Sequence, residues 1–348
     1  MQKTLLHIAI AITLSWQGAA TADVGLDGQL PEADPNDRGD VMQSDERHGD
    51  WLNKMEIGGI IEIEAAFADP DEGESESNLT LATMELGLAA DINPSLSAEI
   101  VLLYEDDGDE KLDVDVAAVT FAADADWFVI AGQFYLPFGS FETGMISDPL
   151  TLEIGETRET SLLGGYSTGP FSGSLYLFDG DAGEEETNKI DNFGLSFAYM
   201  FENDQFSLNA GLGYINDIGD SDGLIDYAGT VHDRIGGLAF HVLMQTGPFT
   251  LIGETITSLD EFPTGEKPGA FSVEGGYGFA VADREATLAV GYQGTNDAEL
   301  TELPEAILLT TFSVGLMEGA AIGLEYARAE AYDDSHSNNL TIQFAAEF

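Results

Sequence analysis

Apolar and polar residues alternate along most of this chain with a period of two, in short segments of about ten residues. Residues 192–201 show the pattern: Phe193, Leu195, Phe197, Tyr199 and Phe201 fall on one face of an extended segment, and Asn192, Gly194, Ser196, Ala198 and Met200 on the other. Residues 206–214 repeat it, with Phe206, Leu208, Ala210, Leu212 and Tyr214 opposite Ser207, Asn209, Gly211 and Gly213. Glu202, Asn203, Asp204 and Gln205 between them have the chemistry of a tight polar turn. Because successive side chains of a strand point to opposite sides, each such segment offers one face suited to lipid and one that is small or polar.

The pattern predicts sixteen strands, at 55–67, 79–90, 96–105, 112–122, 127–135, 161–167, 172–179, 191–202, 206–216, 234–245, 249–259, 270–282, 286–294, 307–316, 321–331 and 339–348. The connections alternate as well. Those at 91–95, 123–126, 168–171, 203–205, 246–248, 283–285 and 317–320 are short, whereas 68–78, 106–111, 136–160, 180–190, 217–233, 260–269, 295–306 and 332–338 are mostly longer. Short turns face the periplasm and long loops face outward in outer-membrane barrels, which puts both ends of the strand series on the periplasmic side. The last segment alternates through Leu340, Ile342, Phe344, Ala346 and Phe348 to a terminal aromatic. It resembles the terminal assembly signal of bacterial outer-membrane barrels, and makes Phe344 and Phe348 the candidate contacts for the barrel-assembly machinery. The expected fold is all-β: a transmembrane antiparallel β-barrel of about 16 strands with a long, inward-folding third extracellular loop. A soluble secreted acidic β protein, a sandwich or β-helix acting as a binding or structural module, is the alternative, since half-buried strands alternate there too.

Charge and composition narrow the partners. The 348 residues carry 11 Lys+Arg against 64 Asp+Glu, a formal net charge of -53, which excludes electrostatic binding to nucleic acid or to an anionic membrane surface. At 44% hydrophobic residues the chain is too apolar for an acidic disordered protein, so it folds around something. The absence of Cys removes disulfides, thiolate nucleophiles and Cys-ligated metal sites together. At the N-terminus Lys3, an apolar run over 5–16 and Ala20-Thr21-Ala22 read as a signal peptide, residues 1–22, cleaved before Asp23. The run is too short to span about 30 Å of hydrocarbon as a helix. Residues 23–54 read as a short acidic periplasmic segment with Pro31 and Pro35, and 55–348 as the barrel. Energy-coupled receptors carry a plug ahead of a barrel of about 22 strands. The 32 residues from Asp23 to Lys54 are too few for one, so transport that is passive or coupled by another route is expected.

Closing sixteen strands leaves an aqueous channel, and pore function is the default expectation. Glu62, Glu64, Glu99, Asp113, Asp115, Glu254, Glu274 and Glu325 lie on the faces opposite the apolar stripes, with few basic partners, and predict a cation-preferring lumen. The longest connection, 136–160, carries Phe138, Phe141, Met145, Ile146, Leu150, Leu152 and Ile154, too apolar for a disordered loop. It is expected to fold into the barrel and to line a constriction with Glu142, Asp148, Glu153, Glu156, Arg158 and Glu159. Catalysis is not expected. Of His48, His232, His241 and His336 only His241 falls in a predicted strand, and no nucleophile motif accompanies it. No cofactor or metal is expected either. The acidic runs at 106–110 and 217–223 lack the Glu spacing of an EF-hand and read as solvated loops at the lipopolysaccharide surface.

The stretch GQFYLPFGSFETGMISDPLTLEIGETRET, preceded by IGGIIEIEA, LTLATMELGLAADIN and AEIVLLYEDD, resembles the LbtU-like family of siderophore porins. The resemblance covers roughly residues 55–220, and the remainder mainly by barrel pattern. Pro137-Phe138-Gly139 and Asp148-Pro149-Leu150, in this order, are its most specific elements. It implies a barrel in the bacterial outer membrane, bathed in outer-membrane lipid and lipopolysaccharide, that admits a ferric siderophore or similar small solute without a large plug. Family members often have a more substantial periplasmic extension than residues 23–54 provide. By analogy with porins a homotrimer is expected, and a general diffusion porin is the nearest alternative function.

Overall fold

The computed structural model describes residues 55–348 except 72, 106–110, 123–125, 181, 183–188 and 226–233. The expected signal peptide 1–22, the segment 23–54, the acidic run 106–110, His48 and His232 therefore lie outside the described residues. Sixteen strands follow one another: β1 (Met55–Pro70), β2 (Glu76–Asn93), β3 (Leu96–Glu105), β4 (Asp113–Ala122), β5 (Trp127–Tyr135), β6 (Arg158–Thr168), β7 (Phe171–Phe178), β8 (Asn192–Asn203), β9 (Phe206–Ile215), β10 (Gly237–Thr246), β11 (Phe249–Ser258), β12 (Gly269–Val281), β13 (Arg284–Asn296), β14 (Ala306–Met317), β15 (Ala320–Glu330) and β16 (His336–Glu347). Each pairs antiparallel with its neighbours in sequence, and β1 pairs with β16 from Ile60↔Glu347 to Pro70↔Ser337, so the sheet closes on itself with no free edge. A closed barrel replaces the sandwich alternative.

Alternation sorts the two faces. Along β1, Ile57, Ile61, Ile63 and Phe67 point outward and remain exposed, while Glu62 and Glu64 lie between them on the opposite side. Near the short turns the outer face carries aromatic pairs, such as Trp127–Tyr166 with ring centroids 4.6 Å apart and Phe249–Tyr277 at 5.1 Å. Such rings form the girdle expected at a membrane interface. The β14–β15 hairpin shows why short turns need glycine. Gly319 has φ +71°, and a Cβ there would meet the Glu347 carbonyl oxygen at 2.5 Å.

Three boundaries differ from the expected ones in ways that matter. β6 begins at Arg158, in register with Tyr135, so Arg158 and Glu159 belong to the wall rather than to the loop. β16 begins at His336, placing that residue beside Glu330 of β15 instead of in a connection. The loop between β5 and β6 contains a short helix, α1 (Leu150–Gly155), entered from Pro149, whose carbonyl accepts the Leu152 N–H at 2.8 Å.

Part of the interior is filled. Phe138, Leu150 and Ile154 of the β5–β6 loop pack with Phe134, Tyr176 and Ile256 of the wall, and with Ile218 and Leu224 of the β9–β10 loop, in one buried cluster. Each apolar side chain buried there is worth roughly 1.5–3 kcal/mol relative to exposure. The fold therefore holds a loop core inside its barrel.

Candidate functional site

Wall carboxylates hold the β5–β6 loop against the inside of the barrel. Glu254 of β11 accepts the backbone N–H groups of Ser140 (2.6 Å) and Phe141 (3.0 Å) and the Thr151 hydroxyl (2.9 Å). Glu274 of β12 accepts the Gly144 N–H at 2.7 Å and the Thr143 hydroxyl at 2.6 Å. Glu325 of β15 accepts the N–H groups of Ile146 (2.6 Å) and Ser147 (3.1 Å), the Ser147 hydroxyl (2.5 Å) and the Thr311 hydroxyl of the neighbouring strand (2.6 Å). Gln293 of β13 adds a fourth clasp by accepting the Leu150 N–H at 3.1 Å. The bonds to the three carboxylates are charge-assisted, and they hold a loop whose own backbone has few internal partners.

The sequence motif of the loop has a local explanation. Phe138 is buried in the interior cluster, and Gly139 lies so close to the Phe141 ring and to Glu254 that a Cβ has no room. Phe141 itself takes a positive φ of 55°, a left-handed turn that aims two successive N–H groups at one carboxylate. Pro149 opens α1, and Leu150 seats in the core.

The expected lumen charges thus divide by environment. Glu254, Glu274 and Glu325 face inward but are buried beneath the loop. Glu62 borders a cavity of about 480 Å³, which Glu142, Thr143, Met145, Gln343 and Thr311 also line. Glu64 accepts from the Gln343 side-chain amide at 2.9 Å, and Glu99 lies between Ala89 and Ala118 in the ladder. Asp113 and Asp115 are affected by a bulge. Val101 pairs with Val116 and Leu102 with Val114, leaving Asp115 unmatched and reversing the alternation set by the exposed Val119 and Phe121. Arg158 bridges the two carboxylates, at 2.7 Å from Asp113 and 3.1 Å from Asp115, while the Tyr135 hydroxyl donates to Asp115 at 2.6 Å.

Of the other expected loop residues, Asp148 and Glu153 are exposed, and Glu142, Glu156 and Glu159 are half-buried. The second loop completes the arrangement. The Asp222 N–H donates to the Glu156 carbonyl at 2.9 Å, Asp217 caps the Gly219 N–H at 3.1 Å, and Asp220 accepts from the Asn192 amide at 2.6 Å. The acidic run 217–223, expected to be a solvated loop, instead buries Asp217, Asp220 and Ser221. The reason is that protein N–H groups take the place of water around the first two, and Ile218 and Leu224 draw the segment into the core. His241 of β10 lies against Gly211, and His336 stands between Asp71 (3.6 Å) and Glu330 (4.0 Å).

Like charges crowd the loop. Burial pushes the Glu156 carboxyl well above the ordinary carboxylate range, and Asp222, Asp148, Asp115 and Glu105 push it the same way. Burial also raises Glu142, and raises Asp222 against the opposing pull of Arg158. Because the docked loop binds these protons more tightly than an undocked one, docking is strongest in acid and weakens as pH rises through the folded-state values. Glu156→Gln is therefore expected to raise the temperature of heat modification on gels at pH 7.5 and to leave it unchanged near pH 4. An equal shift at both pH values would show that the charge of Glu156 is not what opposes docking.

No protein-family model matches the chain. A UPF0422 protein of Coxiella burnetii is 25% identical over 299 residues, covering 79% of this chain and 64% of the relative. A UPF0422 protein of Legionella pneumophila is 24% identical over 311 residues, covering 78% of this chain and 58% of the relative. The chain thus spans less than two thirds of the length of these curated relatives. Among solved structures, the outer membrane channel DcaP of Acinetobacter baumannii superposes with a TM-score of 0.62 at 15% identity, covering 84% of this chain and 97% of that one. Pseudomonas putida OprB gives 0.64 at 9% identity, covering 85% and 95%. An anion-selective porin from Comamonas acidovorans gives 0.59 at 15% identity, covering 84% and 99%. The fold is that of outer-membrane porins, and with its apolar outer face and closed ladder it places the chain in a bacterial outer membrane.

Proposed function

We propose that this protein is a porin for passive entry of small solutes, preferring cations, with the clasped β5–β6 loop as its constriction. The observation that carries the reading is the cavity bordered by Glu62 of the wall and Glu142 of the loop, open space beside a loop that packs into the interior together with the β9–β10 loop. Among the described residues the loop, not a separate plug, narrows the lumen. Selectivity on this fold follows the lining charge, and an acidic lining with low-dielectric walls favours cations.

A ferric siderophore as cargo is the finer reading, supported by the loop sequence. The acidic lining fits a neutral or cationic chelate. A polyanionic one would need Arg158, which is already engaged with Asp113 and Asp115, or the exposed Lys111 or Lys189. A strain lacking the protein should grow poorly under iron limitation with such a siderophore supplied, and liposomes holding the protein should admit neutral sugars slowly. Normal iron-limited growth together with fast sugar entry would assign a general diffusion porin instead. Trimer formation, by analogy with porins, is checked by the mass of the detergent complex.

A further inference from the structure

The cavity beside the loop tip is not lined as a plain aqueous lumen would be. Inward positions of a water-filled barrel are polar, yet Leu243 of β10 and Ile252 of β11, opposite each other in the ladder, both border the cavity half-buried. The outward residues of these strands are the exposed Leu238, Phe240 and Leu251, so alternation turns Leu243 and Ile252 inward. Ile146 of the loop, lying on Gly323 of β15, adds a third aliphatic side chain to the lining. The next inward row toward the short turns is of another kind. Ser207, Gln245 and Thr250 stand side by side in it, and Thr287 and Ser313 are paired further round the wall. Among the described residues none of these five side chains has a hydrogen-bond partner, whereas the Thr143 and Thr311 hydroxyls and the Gln343 amide are already donated to Glu274, Glu325 and Glu64. Among the described residues no Lys or Arg lines the cavity, so nothing there receives an anion. Its volume of about 480 Å³ falls within the roughly 300–1,000 Å³ of small-molecule pockets, which likewise join apolar walls to a few convergent polar groups.

We propose that this cavity is a binding chamber for compact amphipathic solutes without negative charge, which set an apolar face on Leu243 and Ile252 and hydrogen-bond through amide or hydroxyl groups to Gln245, Thr250 and their neighbours. This rests on the porin reading and names the class of solute. Water against exposed aliphatic carbon is unfavourable, and a solute that covers Leu243 and Ile252 removes that contact. It must also replace the water that serves the free hydroxyls and amide, since a polar group left unpaired costs more than a hydrogen bond returns. A sugar meets the second demand and not the first. The test is block of the single-channel current in KCl by N-acetylphenylalaninamide and by N-acetylglycinamide, which carry the same two amides and no charge. Heat modification on gels confirms that each variant is folded. Wild type should be half-blocked by the phenylalanine compound at a concentration about fivefold or more below that of the glycine compound. N-acetylphenylalanine, with a carboxylate in place of one amide, should block no better than N-acetylglycinamide. L243N/I252T should bring the two amides within about twofold of each other. I252T alone, which keeps a β-branched side chain, should narrow the gap as well, and it covers the case in which the double variant does not fold. If wild-type channels form but do not rank the probes this way, or if folded variants keep the ranking, the inference falls and the porin reading stands. If folded wild type forms no channels, the porin reading falls and the inference with it.

Discussion

Replacing Glu254, Glu274 and Glu325 together by alanine is expected to raise the unitary conductance about two- to threefold and to make it noisy, because a sixteen-strand barrel without its inner loop leaves a wide aqueous channel. The three carboxylates receive the backbone N–H groups of Ser140, Phe141, Gly144, Ile146 and Ser147. A buried donor stripped of its acceptor costs about 1–3 kcal/mol, so losing the acceptors of five donors weakens docking by several such steps unless water enters the gap. Either outcome loosens it. The barrel should survive, since its closure depends on the interstrand ladder and not on the loop. Glutamine at the same three positions keeps a carbonyl acceptor at each and should produce the smaller effect. Single-channel recording checks the conductance, and limited proteolysis within 139–156 checks the loop. A cleavable loop in a channel of unchanged conductance would mean that the loop does not narrow the path.

The second large effect is expected at the seam. Phe348 and Gly59 exchange two backbone hydrogen bonds, at 3.0 and 3.1 Å, and the Phe348 ring covers Gly59, where a Cβ would approach its Cζ to 2.8 Å. Deleting Phe348 removes only the last rung of the β1–β16 ladder, worth about 1–3 kcal/mol at equilibrium. Its outer-membrane level should nevertheless fall sharply, because the terminal strand has to be recognised before any ladder exists. Protein refolded in detergent should remain heat-modifiable. Phe348→Ala, which removes the ring while keeping the terminal backbone, separates ring placement from chain length. Wild-type outer-membrane levels of the truncated protein would remove Phe348 from the assembly signal.

Alternation made the strands legible because a barrel wall has the same two environments at every position. It made Glu254, Glu274 and Glu325 legible as inward, but their use was hidden. A clasp joins residues more than a hundred positions apart, as Ser140 and Glu254 are, and leaves no local pattern. Glu85 escaped notice for a related reason. Its neighbours Met84 and Leu86 look like any outer stripe, and only the pairing with Ile60 and Leu103 puts it in a row with other acids. Strict period-two counting would set Asp113 and Asp115 on the face of Val119 and Phe121, and the bulge that reverses this has no signature in the sequence. Arg158 and Glu159 read as loop in the sequence because a charged strand start resembles a loop end. Run 217–223 reads as solvated because the donors that receive Asp217 and Asp220 come from 182, 192 and 235 as well as from its own turn.

The loop is moored to β11, β12, β13 and β15, whereas the rows of wall carboxylates on β1 to β4 stand apart from that mooring. The acidic rows can therefore be rewritten without disturbing the mooring. Glu85 and Glu99 stand on strands other than those that carry the clasps, while any change at Glu254 also alters the docking of the loop. A lineage, or a designer, wishing to change the charge of this interior has a short set of positions to vary apart from the mooring.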